Sequence, residues 1–228
     1  MKSIKKISVL LADDHVVMRD GLCSLLNEDG NFQVVGETRT GREAVELTLA
    51  LRPDVVLMDI AMPILNGLEA TKQILATDPA AKVLILSAYS DDEYVQRTTA
   101  AGAVGFLEKQ TSAAILTKAI HEVAKGNTFF SPTIAKHLQI SQNKLLNRQG
   151  LPKTNGDRLT SRESEVLQSV AEGLTNRQIG ENLSISVKTV EKHRQHVMDK
   201  LNIHDTAGLT RYAMTHGIIE PGVRLTII

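Results

Sequence analysis

Short apolar runs alternate with longer amphipathic stretches along the first 125 residues of the chain. The apolar runs have the length and composition of buried strands and cover residues 7–12, 32–36, 54–58, 82–87 and 104–107. The amphipathic stretches repeat apolar residues at helical spacing and cover residues 16–28, 41–51, 67–77, 92–101 and 112–125. Five such strand–helix units predict an α/β fold, a doubly wound parallel five-stranded sheet with helices on both faces.

The pattern weakens after residue 125. We predict a linker at residues 126–158, because the stretch from Ser141 to Asp157 is polar, contains Gly and Pro, and shows little periodicity. An apolar patch at residues 128–132 begins a candidate short helix that would run through Leu138.

Helical spacing then returns. Thr160 and Glu163 have the spacing of a capping box, which marks the start of a helix. The helical stretches that follow cover residues 160–171 and 175–201. The second stretch reads as two short helices joined by a tight turn, the plan of a helix-turn-helix, so we predict a small all-α domain here and a C-terminal tail at residues 218–228.

Composition and charge narrow the class of protein. Hydrophobic residues make up 42% of the chain, and no apolar run approaches the roughly 20 residues that a membrane span needs. The single cysteine, Cys23, excludes a disulfide framework within one chain and favours a reducing, cytoplasmic location. Residues 1–139 carry 14 Lys and Arg against 17 Asp and Glu, whereas residues 140–228 carry 12 against 9. This mild basic excess permits nucleic-acid binding by the C-terminal part.

Polar side chains stand at the ends of the predicted strands. Asp13 and Asp14 follow the first strand, Asp59 follows the third, Ser87 ends the fourth, and Lys109 comes shortly after the fifth. Ligands of a doubly wound sheet bind beyond the carboxyl ends of its strands. We therefore expect these five side chains to lie together at one edge of the sheet.

These residue types suit the transfer of a phosphoryl group to an aspartate. A cluster of carboxylates is costly unless a cation neutralises it, and Mg²⁺ with oxygen ligands suits phosphate chemistry. An aspartate can act as the nucleophile, and a lysine and a hydroxyl can stabilise the charge on the transferred group. Singly, the residues have plainer interpretations: Asp13 or Asp14 as a helix cap, Ser87 as a turn hydroxyl, and Lys109 as a solvated side chain.

The stretch from Asp59 to Gly67 has the pattern D-x-x-M-P-x-x-x-G. With the acidic pair, the serine and the lysine, it resembles the receiver domain of bacterial two-component response regulators, and we place that domain at residues 1–125. The resemblance implies these roles: phosphoacceptor Asp59; Mg²⁺ ligands Asp13, Asp14, Asp59 and the backbone carbonyl of Ala61; phosphoryl partners Ser87 and Lys109; and switch aromatic Phe106. Two positions depart from the pattern. Gln110 replaces a proline that is common there, and Phe106 lacks the hydroxyl of the tyrosine that is often found.

Residues 159–217 resemble the LuxR-type helix-turn-helix domain, on Leu159–Glu163 and the long pattern that ends at Leu201. The resemblance implies an all-α module of four helices, the last at residues 206–215. The resemblance implies base-edge contacts from Glu191, Lys192 and Gln195. It implies phosphate contacts from Arg177, Lys188, Thr189 and Arg194. One mismatch is Gly180, where the family usually has alanine. A glycine within a helix costs about 1 kcal/mol relative to alanine, but it permits close helix approach.

Together the two resemblances indicate a response regulator of the NarL/FixJ type. They imply a cytoplasmic transcription regulator, not an enzyme, whose promoter binding and homodimerisation depend on phosphorylation of Asp59 by a sensor histidine kinase. Double-stranded DNA is then a partner, RNA polymerase is a candidate partner, and no membrane is involved. Two other functions stay open. One is a constitutive DNA-binding regulator whose receiver is only a dimerisation scaffold. The other is a metal-dependent phosphatase with an aspartyl-phosphate intermediate.

Overall fold

The structure is a computed structural model that describes residues 5–88, 92–130 and 159–219. These residues form two compact units, an N-terminal unit built on a sheet and a C-terminal unit built from helices. Most of the predicted linker, including its candidate helix through Leu138, lies outside the described residues, as does the tail from residue 220. No helix among the described residues is long and apolar enough to cross a membrane.

The N-terminal unit alternates strands and helices in the predicted order. Its strands are β1 (Ile7–Ala12), β2 (Phe32–Thr38), β3 (Val55–Asp59), β4 (Val83–Ser87), β5 (Gly105–Glu108) and β6 (Phe129–Phe130). Its helices are α1 (Val16–Asp29), α2 (Gly41–Leu51), α3 (Gly67–Thr77), α4 (Asp92–Ala100) and α5 (Ala113–Ala124). The α/β class and the parallel sheet are confirmed.

All neighbouring strands are parallel, in the order β2-β1-β3-β4-β5-β6. Between β1 and β3 the chain changes its direction of winding, and doubly wound sheets bind ligands at such a switch point. The register pairs Ala12 with Met58 and Asp59 with Leu86. The last residues of β1, β3 and β4 therefore finish at the same edge.

The sheet is buried on both faces, as its nearly continuous apolar strands predict. Every residue of β3 and β4 is buried. The core on one face joins the strands to α1 and α5 and includes Val9, Leu57, Leu84, Leu116 and Ile120. This packing fixes the strands that carry the polar edge.

The sheet has one strand more than the five predicted. Phe129 and Phe130, which the sequence pattern assigned to the start of the linker, pair in parallel with Gly105 and Phe106 of β5. The N–H of Phe129 also donates to the carbonyl of Val104, at an N···O distance of 3.0 Å. Two residues are too few to show a periodicity of two, so the pattern gave no sign of this strand.

The C-terminal unit has four helices within residues 159–219, in agreement with the four implied by the resemblance. They are α6 (Ser161–Ala171), α7 (Asn176–Leu183), α8 (Val187–Leu201) and α9 (Thr206–Thr215). Thr160 and Thr175 each form a complete capping box, and Ser186 caps α8 through the N–H of Thr189. Because a cap satisfies backbone N–H groups that a helix leaves free, these side chains fix where α6, α7 and α8 begin.

The turn between α7 and α8 explains the glycine at position 180. The N–H of Ile185 donates to the carbonyl of Gly180 at 2.9 Å, and a Cβ on Gly180 would lie 2.8 Å from the carbonyl oxygen of Ile185. The helix therefore meets the backbone of its own turn at this residue, which confirms the close approach expected of a glycine. The apolar faces of all four helices meet in one core that includes Val166, Ile179, Val190, Val197 and Leu209.

Candidate functional site

Three strand ends bring an aspartate pair, a single aspartate and a lysine together. Asp59 is the last residue of β3, and Asp13 follows β1; each is only 2% exposed. Lys109 reaches this edge from the end of β5. Its Nζ lies 2.7 Å from Oδ2 of Asp59 and 3.0 Å from Oδ2 of Asp13. One largely covered ammonium group thus pairs with two buried carboxylates.

The electrostatics of the cluster are dominated by burial. Burial raises the pKa of Asp59 to about 7; Lys109 opposes that rise, and the neighbouring Asp13 and Asp14 add to it. Burial likewise raises the pKa of Asp14, against the opposing influence of His15. Burial alone would lower the pKa of Lys109, but the ion pairs with Asp59 and Asp13 outweigh it and raise that pKa. The positive charge of one lysine does not balance the charge of three carboxylates, so the cluster can accept a further cation.

The donor atoms fit a hard divalent cation. Ligand atoms of Asp13, Asp14, His15 and Asp59 all lie within 4.8 Å of one another. Oδ2 of Asp13 and Oδ1 of Asp14 are buried and accept no hydrogen bond from the residues that the structure describes. Each has only a nearby charge, Lys109 for Asp13 and His15 for Asp14. Carboxylate oxygens in excess of their hydrogen-bond donors are the ligands that such a cation requires.

His15 belongs to the cluster, although the sequence analysis did not single it out. Its Nδ1 lies 2.9 Å from Oδ1 of Asp14, 3.2 Å from Oδ1 of Asp13 and 3.9 Å from Oδ2 of Asp59. It is also the N-cap residue of α1, but its side chain makes no capping hydrogen bond. Oδ1 of Asp13 accepts from the N–H of His15 just ahead of that helix, so the Asp13 carboxylate also has a local structural role. The position of His15 directly after the acidic pair was the only available signal.

The remaining predicted residues lie around this edge. Ser87 is the last residue of β4 and is buried, and its carbonyl accepts a hydrogen bond from the N–H of Lys109 at 2.7 Å. Phe106 is fully buried in β5. Ala61 follows β3 in a turn that is closed by a hydrogen bond from the N–H of Met62 to the carbonyl of Ile60, 3.1 Å long. The roles assigned to these side chains and to the Ala61 carbonyl stay predictions.

Gly67 closes the loop that follows Asp59. Its N–H donates to the carbonyl of Ile60 at 2.8 Å, and a Cβ at this position would overlap the carbonyl oxygen of Asp59. Only glycine lets the first turn of α3 approach β3 so closely. Steric contact with β3 therefore explains why the last residue of the D-x-x-M-P-x-x-x-G pattern is a glycine.

The C-terminal unit presents its predicted contact residues on one side of α8. Val190 and Val197 face the core, whereas Lys188, Glu191, Lys192 and Gln195 are exposed. The exposed residues follow helical spacing, so they form one face, which we call the α8 outer face. At its C-terminal end Gln195 donates to Oδ1 of Asp199 at 2.8 Å. This arrangement is that of a helix-turn-helix with a polar recognition helix.

Three further predicted residues have partners within the unit. Arg194 donates from Nη1 to Oδ1 of Asn176 at 2.7 Å and from Nη2 to Oγ1 of Thr206 at 3.3 Å. The hydroxyl of Thr189 lies 2.8 Å from that of Ser186, and the exposed Arg177 pairs with Glu181 one turn along α7. Arg194 thus connects α8 to the first residues of α7 and α9.

Comparison with known proteins agrees with both halves of the chain. A family model described as response regulator receiver domain matches residues 9–121, and one described as bacterial regulatory proteins, luxR family, matches residues 157–213. The transcriptional regulatory protein DegU of Brevibacillus brevis is 37% identical over 94% of this chain and 96% of its own. The chain belongs to the response regulators.

Other relatives of this response regulator match either its whole length or only its N-terminal part. The transcriptional regulatory protein LiaR of Bacillus subtilis is 37% identical over 94% of this chain and 100% of its own. Among solved structures, a LuxR-family response regulator from Aurantimonas is 31% identical with a TM-score of 0.58, and covers 61% of this chain and 99% of its own. The receiver domain of NarL from Mycobacterium tuberculosis is 34% identical with a TM-score of 0.53, over 54% of this chain and 99% of its own. The response regulator thus has a receiver domain and a LuxR-type DNA-binding domain, as its transcription-regulating relatives do.

Proposed function

We propose that a phosphoryl group on Asp59 controls dimerisation of this response regulator and its binding to promoter DNA. The observation that carries this proposal is the contact of Lys109 with both Asp59 and Asp13 at the switch point of the sheet. A carboxylate that could act as a nucleophile, a cation and a second carboxylate within hydrogen-bonding distance support a site for phosphoryl transfer.

Asp13, Asp14, Asp59 and the backbone carbonyl of Ala61 would hold Mg²⁺. Bound there, the ion would neutralise negative charge on the transferred phosphoryl oxygens and on the carboxylates around them. A carboxylate oxygen of Asp59 attacks the phosphorus atom of a phosphohistidine. A P–O bond to Asp59 forms as the P–N bond breaks, and the histidine leaves with the electron pair of that bond. Lys109 and Ser87 bind the phosphoryl oxygens, and Phe106 changes its packing in response.

The α8 outer face would enter the major groove. Glu191, Lys192 and Gln195 would contact base edges, and Arg177, Lys188, Thr189 and Arg194 would contact phosphates. Arg194 uses two of its five N–H groups within the domain, so three are left for a phosphate. Two domains in a dimer would occupy half-sites about one helical turn apart. The phosphodonor is a sensor histidine kinase, the location is the cytoplasm, and RNA polymerase is a candidate partner.

The test compares the wild type with Asp59→Asn, which preserves shape and removes the nucleophilic carboxylate. DNA sites are first selected from a random library with protein treated with Mg²⁺ and beryllofluoride, a phosphoryl mimic. Mass in solution and affinity for the selected sites are then measured with and without beryllofluoride. We expect the wild type to dimerise and to bind DNA at least about tenfold more tightly when treated, a difference of about 1.4 kcal/mol, and we expect Asp59→Asn to be unaffected.

Two outcomes would support the other functions. Tight DNA binding by a dimer that ignores beryllofluoride in the wild type would indicate a constitutive regulator. Steady hydrolysis of a small phosphate ester, lost in Asp59→Asn, would indicate a phosphatase. An Asp59→Asn variant that responds like the wild type would overturn the proposal.

A further inference from the structure

Arg19 is a buried charge that the proposed mechanism does not use. It lies in the first turn of α1 and is 4% exposed, whereas the predicted helix pattern gave no reason to bury an arginine there. A buried charge is costly unless it is paired and hydrogen-bonded. The partners of Arg19 therefore indicate why the fold retains it.

Arg19 has one partner in the acidic site and one on the neighbouring strand β2. Nη1 of Arg19 donates to the backbone carbonyl of Asp13 at 2.7 Å. Nε of Arg19 donates to Oε2 of Glu37 on β2 at 3.1 Å. The guanidinium group thus connects the loop after β1 to the neighbouring strand.

The backbone of Asp13 is held from both sides as a result. Its N–H donates to the carbonyl of Thr38, the neighbour of Glu37 on β2, at 3.1 Å. Its carbonyl accepts from Arg19. The N–H of His15 then donates to Oδ1 of Asp13 at 2.8 Å, so Oδ2 is the oxygen that faces Lys109. The Asp13 backbone is therefore held by Arg19 and β2, and the N–H of His15 fixes which carboxylate oxygen faces Lys109.

We propose that Arg19 is a positioning residue for the acidic site, which holds Asp13 in the orientation that binds Mg²⁺. This inference rests on the proposed function, because it assumes that the site takes the ion. Arginine suits the position because its planar fork offers two donors in different directions at a fixed geometry. A lysine has a single ammonium group and lacks this planar fork, so we expect it to bind the Asp13 carbonyl and the Glu37 carboxylate less well.

The alternative is that Arg19 only stabilises the domain. Ser8 provides a matched control, because it lies at the other end of β1. Its hydroxyl donates to Oδ2 of Asp54 at 2.7 Å and accepts from the N–H of Asp54 at 2.9 Å. Ser8→Ala removes side-chain hydrogen bonds from the same strand without touching the loop that carries Asp13.

The experiment titrates the full-length protein with Mg²⁺ alone and follows the amide NMR signals of residues 13–15. Thermal unfolding of each variant is measured in parallel, and titrations are run where all variants are folded. We expect Arg19→Met to raise the Kd for Mg²⁺ about tenfold, the lower end of what loss of a partner outside the ligand set costs. We expect Arg19→Lys to fall between Arg19→Met and the wild type. Ser8→Ala should lower the unfolding temperature but leave the Kd within about twofold of wild type, since no ligand depends on it.

Three outcomes would overturn the positioning role. One is a folded Arg19→Met or Arg19→Lys with the wild-type Kd. Another is a Ser8→Ala variant that weakens Mg²⁺ binding as much as Arg19→Met does. In both of these cases the wild type still binds Mg²⁺ and still responds to beryllofluoride, so the proposed function stands. A wild type that binds no Mg²⁺ and does not respond to beryllofluoride overturns both.

Discussion

The acidic edge of the receiver and the α8 outer face are built in opposite ways. At the acidic edge the buried Asp13 and Asp59 both pair with the largely covered Lys109, so each side chain depends on its neighbours. On the α8 outer face Lys188 and Lys192 are exposed, and the core contacts of the helix are made by other residues. Changes at the first site should therefore alter both folding and function, whereas changes at the second should alter function alone.

The largest effect is expected at Gly67. In Gly67→Ala the new Cβ would overlap the carbonyl oxygen of Asp59, and backbone must move to relieve it. We expect the receiver to lose about 3 kcal/mol of unfolding free energy, since overpacking against backbone lies at the upper end of such costs. Urea unfolding followed by circular dichroism measures the loss. A stability within about 0.5 kcal/mol of the wild type, the range of an ordinary surface change, would show that α3 can shift freely.

The second effect concerns Asp59 in the absence of metal. Its pKa in the folded protein is raised from its ordinary value of 3.8 to about 7. The folded state therefore binds this proton more tightly than the unfolded state, and stability is lost as the pH rises between these values. With EDTA present, Asp59→Asn should be more stable than the wild type at pH 8 by about 2 kcal/mol or more, because one pKa unit corresponds to about 1.4 kcal/mol and the raised pKa already includes the pairing with Lys109.

Asp54 gives the opposite sign and serves as the control for that series. Burial would raise the pKa of Asp54, but hydrogen bonds from the backbone and side chain of Ser8 outweigh it and lower that pKa. Asp54→Asn should therefore be less stable than the wild type at pH 7, and the difference should shrink in acid. Thermal unfolding from pH 4 to pH 8 compares both variants. If Asp59→Asn showed the same pH trend as Asp54→Asn, ionised Asp59 would not destabilise the folded receiver.

The acidic edge also shows how much of the site the sequence predicts. Asp13, Asp59 and Lys109 were predicted to meet because each follows a strand of one parallel sheet, and topology brings strand ends together. His15 and Arg19 were not predicted, because a polar residue near a helix start is usually solvated. What buries Arg19 is its pairing with Glu37 on β2, a contact between elements that periodicity cannot reveal. The α8 outer face was predicted from helical spacing alone, so the partner of each exposed residue stays a prediction.

A third effect tests a buried carboxylate of the DNA-binding domain. Glu163 accepts from the N–H of Thr160 at 2.7 Å and from Nζ of Lys200 at 2.7 Å. Burial would raise the pKa of Glu163, but these bonds outweigh it and lower that pKa. Glu163→Gln should cost this domain about 1.5 kcal/mol at pH 7, the value of a hydrogen bond to a charged group. The cost should disappear as the pH falls through the lowered pKa of Glu163, which unfolding at a series of pH values would measure.

A smaller effect is expected at Gly180, the counterpart of Gly67. Gly180→Ala gains about 1 kcal/mol of helix propensity, but its Cβ would lie 2.8 Å from the carbonyl oxygen of Ile185. We expect a net loss of about 1 kcal/mol, since overpacking costs about 1–3 kcal/mol. Unfolding of the DNA-binding domain measures it. A gain in stability would mean that the turn between α7 and α8 yields easily.

The smallest effect on stability is expected on the α8 outer face. Lys192→Ala should change the unfolding free energy by less than about 0.5 kcal/mol, as surface substitutions do, while lowering affinity for selected DNA about tenfold. Lys200→Ala is the matched control on the same helix, because Lys200 pairs with Glu163. It should lose stability and keep its DNA affinity at temperatures where it is folded. Equal losses of stability in the two lysine variants would contradict the view that the α8 outer face contributes to DNA binding but not to stability.

The two-residue strand β6 has a consequence for how the receiver is handled as a fragment. Phe129 and Phe130 cover Gly105 and Phe106, so β5 lies inside the sheet over that part of its length. A receiver cut after Lys125 would open the side of β5 and leave its N–H and C=O groups free to template another chain. We expect such a fragment to self-associate through that edge. A fragment ending at Phe130 keeps β6 paired with β5 and should stay monomeric under the same conditions.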